Sequence, residues 1–107
     1  MDRAYTVMAS TGEYSDRNEW TVAVYLNKDE AERHVELAQA HAREHGCGYD
    51  DRCSYEDRDE LSEVLEEGGI ELRALYGVRP GYRLSVDYTG IRFWCEEVPI
   101  REAAPSW

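Results

Sequence analysis

With 107 residues, the chain has room for one domain and a modest core. Apolar residue types at 42% exclude a wholly disordered chain, and the charged residues leave no run long enough to span a membrane as a helix. Twenty-three acids against twelve bases give a formal charge of -11. A field of that sign repels nucleic acid and anionic lipid and favours encounter with basic protein surfaces.

Met1-Asp2-Arg3 leads directly into a strand-like run without a secretory hydrophobic segment, so a cytoplasmic protein is expected. The three cysteines, Cys47, Cys53 and Cys95, are odd in number and are expected as reduced thiols there.

Arg3 to Ser10 alternates, with Tyr5, Val7 and Ala9 on one side and Thr6 and Met8 on the other. Trp20 to Leu26 repeats the pattern, with Trp20, Val22, Val24 and Leu26 sharing a face. Its second face is apolar enough to predict a central strand. The polar stretch from Thr11 to Glu19 predicts an antiparallel hairpin with a long tip, holding Tyr14 and Arg17 outward.

Asn27 is a natural N-cap with Glu30 as its capping-box partner, and Ala31, Val35, Ala38 and Ala42 follow at helical spacing. Gly46 should end this helix. Its small alanines predict close packing across the inner face of the hairpin. Residues 46–55 read as loop. Ser54 and Asp57 form a second capping box, Leu61, Val64 and Leu65 give a narrow apolar stripe, and Gly68-Gly69 closes the helix.

Ile70 to Tyr76 fits a strand by alternation and a helical turn through Leu72 and Leu75. Gly77 to Gly81, with Pro80 inside it, reads as a turn. Tyr82, Leu84, Val86 and Tyr88 alternate with polar residues up to the turn at Thr89-Gly90. Ile91, Phe93 and Cys95 then alternate with Arg92, Trp94 and Glu96, which predicts a closing hairpin with Trp94 facing away from Phe93. Pro99 belongs at the end of a strand or on an edge. The sum is a two-layer α+β domain over residues 1–100, a mainly antiparallel sheet of about four strands against two helices. Residues 101–107 read as a flexible tail.

The ends of the chain carry a resemblance. Gly12-Glu13-Tyr14-Ser15-Asp16 follows the first strand, a second strand from Trp20 enters a helix with Asp29-Glu30-Ala31, and Trp94-Cys95-Glu96-Glu97-Val98-Pro99 closes the chain. In these segments, about half its length, the chain resembles a loose group of small uncharacterised bacteriophage and bacterial proteins. The resemblance implies a phage origin and action by binding host proteins. It implies no catalytic residue, and Cys47 to Gly81 lies outside it.

All three histidines, His34, His41 and His45, fall on the first helix. His41 and His45, at i and i+4, can reach one ion, and Cys47 and Cys53 follow. These four are the candidate zinc ligands. The spacing lacks the short loop of a usual paired-cysteine site, and the alternative is a set of boundary histidines beside semi-buried thiols, with no cofactor. A Cys47–Cys53 disulfide is a further option that a reducing compartment disfavours. A cysteine near a histidine also admits a small cysteine-dependent enzyme, although no phosphate-binding glycine loop or zinc-protease motif is present.

The acids concentrate. Asp50, Asp51, Glu56, Asp57, Asp59, Glu60, Glu63, Glu66 and Glu67 are countered within residues 50–67 only by Arg52 and Arg58, a local charge of -7. Like charges three and four residues apart on a helix cost stability, which a later encounter with a basic partner would rationalise. A row of carboxylates can imitate a phosphate backbone and compete for a basic groove. The plainer alternative is a solvated face that prevents aggregation. Tyr49 beside the acids and Tyr55 among them are candidate anchors, since tyrosine offers apolar area with a polar handle.

The leading expectation is a non-catalytic module whose partner is a basic protein, such as a nucleic-acid-binding host factor. Its contact residues would be Tyr49, Tyr55 and the nine acids. Direct binding to nucleic acid or membrane is not expected. A structural homodimer or zinc-stabilised domain is the alternative, and an exposed closing strand would invite the homodimer.

Overall fold

A computed structural model of the chain describes residues 3–13, 17–49, 52–79 and 82–100. The alternation at the start becomes strand β1 (Arg3–Thr11), which lies at the centre of a three-stranded antiparallel sheet. Its neighbours are β2 (Asn18–Tyr25) on one edge and β3 (Ile91–Pro99) on the other. Central position falls to β1 and not to β2, because β3 takes the edge of β1 that the hairpin leaves open.

The β2 register slips between Val7, opposite Ala23, and Met8, opposite Thr21. Val22 is the extra residue, and such a bulge reverses the in-and-out phase of the strand beyond it. Trp20 and Val22 pack against the core, whereas Val24 is 60% and Leu26 61% exposed. The four residues predicted to share one face are therefore split. On β3 the expected alternation holds: Ile91 and Phe93 are buried, and the ring of Trp94 lies against Arg17 and Arg92 instead of in the core.

Helix α1 (Lys28–Glu44) begins as its capping residue dictates, with Asn27 Oδ1 accepting from the N–H groups of Asp29 and Glu30 at 2.8 and 3.3 Å. Ala31, Ala38 and Ala42 are fully buried, and α1 lies across all three strands. Gln39 uses its amide as a fourth-strand substitute: Nε2 donates to Ile91 O and Oε1 accepts from Phe93 N, each at 3.2 Å. That satisfies part of the outer edge of β3.

Helix α2 (Tyr55–Glu67) is capped by Ser54, whose Oγ accepts from Asp57 N at 3.1 Å. Gly68-Gly69 breaks it, but the chain then enters a third helix, α3 (Gly69–Tyr76), and not a strand. Leu72 and Leu75 pack against the core at helical spacing, so the helical option for this segment is the one realised. Gly77 ends α3 in the left-handed region at φ 72°. A Cβ there would come within 2.7 Å of Val22 Cα, so glycine permits both the turn and the close approach to the β2 bulge.

The sequence led to about four strands and two helices; the described residues form three of each. Residues 82–87 alternate but form no strand. Their backbone is satisfied elsewhere: Ser62 Oγ donates to Leu84 O at 3.0 Å, Arg58 Nη1 to Val86 O at 3.4 Å, and Asp87 N to Thr11 Oγ1 at 2.9 Å. With these partners supplied by side chains, Val86 still reaches the core. The α+β class stands. Pro99 ends β3 opposite Arg3, and the tail at 101–107 lies outside the described residues.

The core joins Leu61 and Leu65 of α2, Ala38 and Ala42 of α1, Ala9, Ile91 and Phe93 of the sheet, and Tyr76 at the end of α3. Tyr76 is its most tightly bound ring. It has no exposed surface and stacks edge-on against Phe93 and His41, and its carbonyl accepts from Trp20 Nε1 at 2.8 Å.

Candidate acidic binding surface

Helix α2 turns one side inward, burying Leu61, Ser62 and Leu65, and leaves the rest to solvent. Glu56, Asp59, Glu60, Glu63, Glu66 and Glu67 are all exposed, and Asp57 is half-buried in the first turn near Gly46. Asp59 alone among them has an ion pair in the described structure, to Arg83 at 2.5 Å. The carboxylates of Glu56, Glu60, Glu63, Glu66 and Glu67 have no cation among the described residues.

The one basic residue within α2 does not offset them. Arg58 lies over the Tyr55 ring with its guanidinium 5.5 Å from the ring centre, and it donates inward to Val86 O. At the C-terminal end, Glu66 and Glu67 oppose the helix dipole and no basic residue occupies the last turn. Arg73 of α3 compensates from outside, donating Nε to Leu65 O at 3.1 Å and Nη2 to Glu66 O at 2.5 Å. The backbone end is thus satisfied while the side chains remain uncompensated.

The two tyrosines expected as anchors separate. Tyr55 is 78% exposed at the start of α2, beside the cleft formed with Arg83 and residues 84–86. Tyr49 lines a different cleft, where Arg92 stacks on its ring at 5.3 Å. Asp50 and Asp51 lie outside the described residues.

His34 and His41 are each bonded to a tyrosine, and the rings of His41 and His45 lie 4.6 Å apart. His34 is buried, with Nε2 donating to Leu75 O at 2.9 Å, which leaves Nδ1 to accept from the Tyr25 hydroxyl at 2.8 Å. His41 Nδ1 accepts from the Tyr76 hydroxyl at 2.7 Å. Burial lowers the His41 pKa, the nearby His45 lowers it further, and Glu44 opposes both. Burial likewise pushes the Tyr76 phenol well above its ordinary range, so the hydroxyl stays protonated as donor.

Cys47 and Cys53 are both buried and are joined as a disulfide, their Cα atoms 4.8 Å apart. The sequence favoured free thiols. Two backbone bonds bring the pair together: Cys47 N donates to Ala42 O at the end of α1, and Cys53 N to Tyr88 O. Cys95 is free and half-buried, and burial, followed by the charge of Glu32, raises its thiol pKa. Of the four residues considered for zinc, His41 and His45 lie side by side and Cys47 and Cys53 are bonded to each other, with His41 Nδ1 taken by Tyr76. No group of three or more His, Cys, Asp or Glu side chains placed to hold an ion occurs among the described residues. No helix among them is long and apolar enough to cross a membrane.

No protein family, curated protein or solved structure matches the chain.

Proposed function

We propose that the chain is a non-catalytic protein-binding module that engages a basic surface of another protein through α2. The observation that carries this reading is the exposed row of Glu56, Glu60, Glu63, Glu66 and Glu67, without a paired cation among the described residues. Glu56, Glu60, Glu63 and Glu67 repeat every three or four residues, spacing the charges about 5 Å apart along the helix axis. A ribbon of that kind can occupy an arginine- and lysine-lined groove in place of phosphates. Tyr55, exposed at the head of the row, supplies apolar contact area.

The specific form of this proposal is a phage-encoded inhibitor of a nucleic-acid-binding host protein in the host cytoplasm, and it rests on the resemblance at the chain ends. In a reducing cytoplasm Cys47 and Cys53 would stand as thiols, so the redox state of the pair in cells reports on the compartment. A homodimer is the second reading, favoured by Val24 and Leu26, exposed at the outer edge of the sheet on and beside β2.

Affinity capture from bacterial lysate at two salt concentrations tests the first reading, followed by competition of the purified pair with duplex DNA. Displacement of DNA by the chain is expected. A captured protein whose binding ignores both DNA and salt would refute the mimicry.

A further inference from the structure

In a chain with 23 acids and 12 bases, one cleft collects arginines. It opens where residues 47–49 close over the junction of β1 and β3, has a volume of about 790 Å³, and is lined by Arg17, Arg52, Arg92, Tyr49, Tyr88 and Glu13 among others. That volume lies within the range of small-molecule sites.

The walls are fixed by backbone and buried hydroxyl bonds. Ile91 N donates to Cys47 O at 2.8 Å, Thr11 Oγ1 donates to Gly90 O at 2.8 Å, and Gly12 N donates to Thr89 Oγ1 at 3.1 Å. Gly90, at φ 80°, presses so closely on the backbone of residues 47–48 that a Cβ there would clash with Gly48 O. Arg92, within β3, therefore projects from a bonded frame.

Their charges are only partly cancelled. Arg17 pairs with Glu19 at 2.9 Å. Arg92 is held by rings, its guanidinium 5.3 Å from the Tyr49 centre and 5.5 Å from that of Trp94. Such contacts orient a guanidinium without neutralising it. Arg52 has no hydrogen bond or ion pair among the described residues, and Glu13 is the one carboxylate among the described lining residues. Two arginines without an ion pair among the described residues thus face one cleft.

We infer that this cleft binds the phosphate group of a small phosphorylated molecule, gripped by Arg52 and Arg92. The planar guanidinium fork matches phosphate oxygens in pairs. The negative field of the whole chain disfavours a long polyanion, which limits the ligand to one or a few phosphates. Tyr88, 57% exposed on the cleft wall, offers a face to a ring carried by the ligand.

Amide NMR of the full chain, titrated with inorganic phosphate, AMP and adenosine up to about 10 mM, tests this. Saturable shifts at Thr11, Gly12, Thr89, Gly90 and Arg92 are expected with both phosphate probes. Tighter binding of AMP identifies a phosphate monoester that carries an aromatic ring, and equal affinity identifies phosphate alone; both results support the site. Arg52→Gln and Arg92→Gln should each weaken binding about tenfold or more while leaving the spectrum folded. Arg52→Gln removes no hydrogen bond or ion pair among the described residues, so with the spectrum still folded its effect reads the ligand. Absence of saturation, equal binding of adenosine and AMP, or unchanged affinity in Arg52→Gln would overturn the proposal.

Discussion

Glu63→Gln should make the protein more stable, and the gain can be worked from the geometry of α2. Glu63 stands within three or four residues of Asp59, Glu60, Glu66 and Glu67. Asp59 is answered by Arg83 at 2.5 Å, so three neighbours without an ion pair among the described residues remain. Like-charge pairs at this spacing cost about 0.2–0.5 kcal/mol each, which sums to roughly 0.6–1.5 kcal/mol for Glu63 at low ionic strength. Glutamine has nearly the helix propensity of glutamate, so little else changes. Urea unfolding at about 10 mM and about 1 M NaCl separates the charge term, because screening at high salt shortens its reach to about 3 Å. The advantage of the variant should be present in the first condition and nearly gone in the second. Glu97→Gln is the control. It loses the cross-strand Arg3–Glu97 pair at 3.0 Å and should lower stability by a few tenths of a kcal/mol. A Glu63→Gln protein no more stable than the parent at low salt, or an advantage that survives high salt, would refute the argument that α2 carries unrelieved repulsion.

Three further outcomes follow from the core. Tyr76→Phe removes the hydroxyl that donates to His41 and should cost about 1–2 kcal/mol in urea unfolding, whereas Tyr82→Phe, at an exposed position, should stay within about 0.5 kcal/mol. His41 is held below its ordinary value of 6.5, so more than about one unit above 6.5 neither state is protonated and His41 adds no slope. As pH falls below 6.5 the unfolded chain takes the proton first, and stability declines until the folded His41 also titrates. His41→Gln should remove this part of the decline between about pH 7.5 and 5.5, and identical slopes in the two proteins would contradict it. Reducing Cys47–Cys53, a pair six residues apart, should cost about 2–2.5 kcal/mol by loop entropy. Unfolded, unreduced protein should then show one reactive thiol, that of Cys95, and three would refute the bond.

Local chemistry was legible in the sequence where the cause is local. Asn27, Gly46 and Ser54 cap helices through bonds to residues two to four positions away, and all three act where their types predict. The phase reversal in β2 was not legible. It depends on the register with β1 and on Gly77 pressing against Val22, two contacts distant in sequence. The alternation at 82–88 misled for a similar reason: its carbonyls are bonded by Ser62 and Arg58, whose reach becomes visible only once α2 is placed. The acidic row on α2 could be read directly because a helix converts spacing into a face. The arginine cleft could not, because Arg17, Arg52 and Arg92 meet only through the pairing of β1 with β3 and the closure of the segment after α1.

The central claim is that the carboxylates of α2 make the contact with a basic partner. The most direct test compares the affinity of the captured partner for the parent chain and for the variant carrying Glu60→Lys, Glu63→Lys, Glu66→Lys and Glu67→Lys, with folding confirmed by circular dichroism. Binding of the parent should weaken steeply with salt, and the variant should lose it altogether while remaining folded. Equal affinity of the two folded proteins would contradict the account.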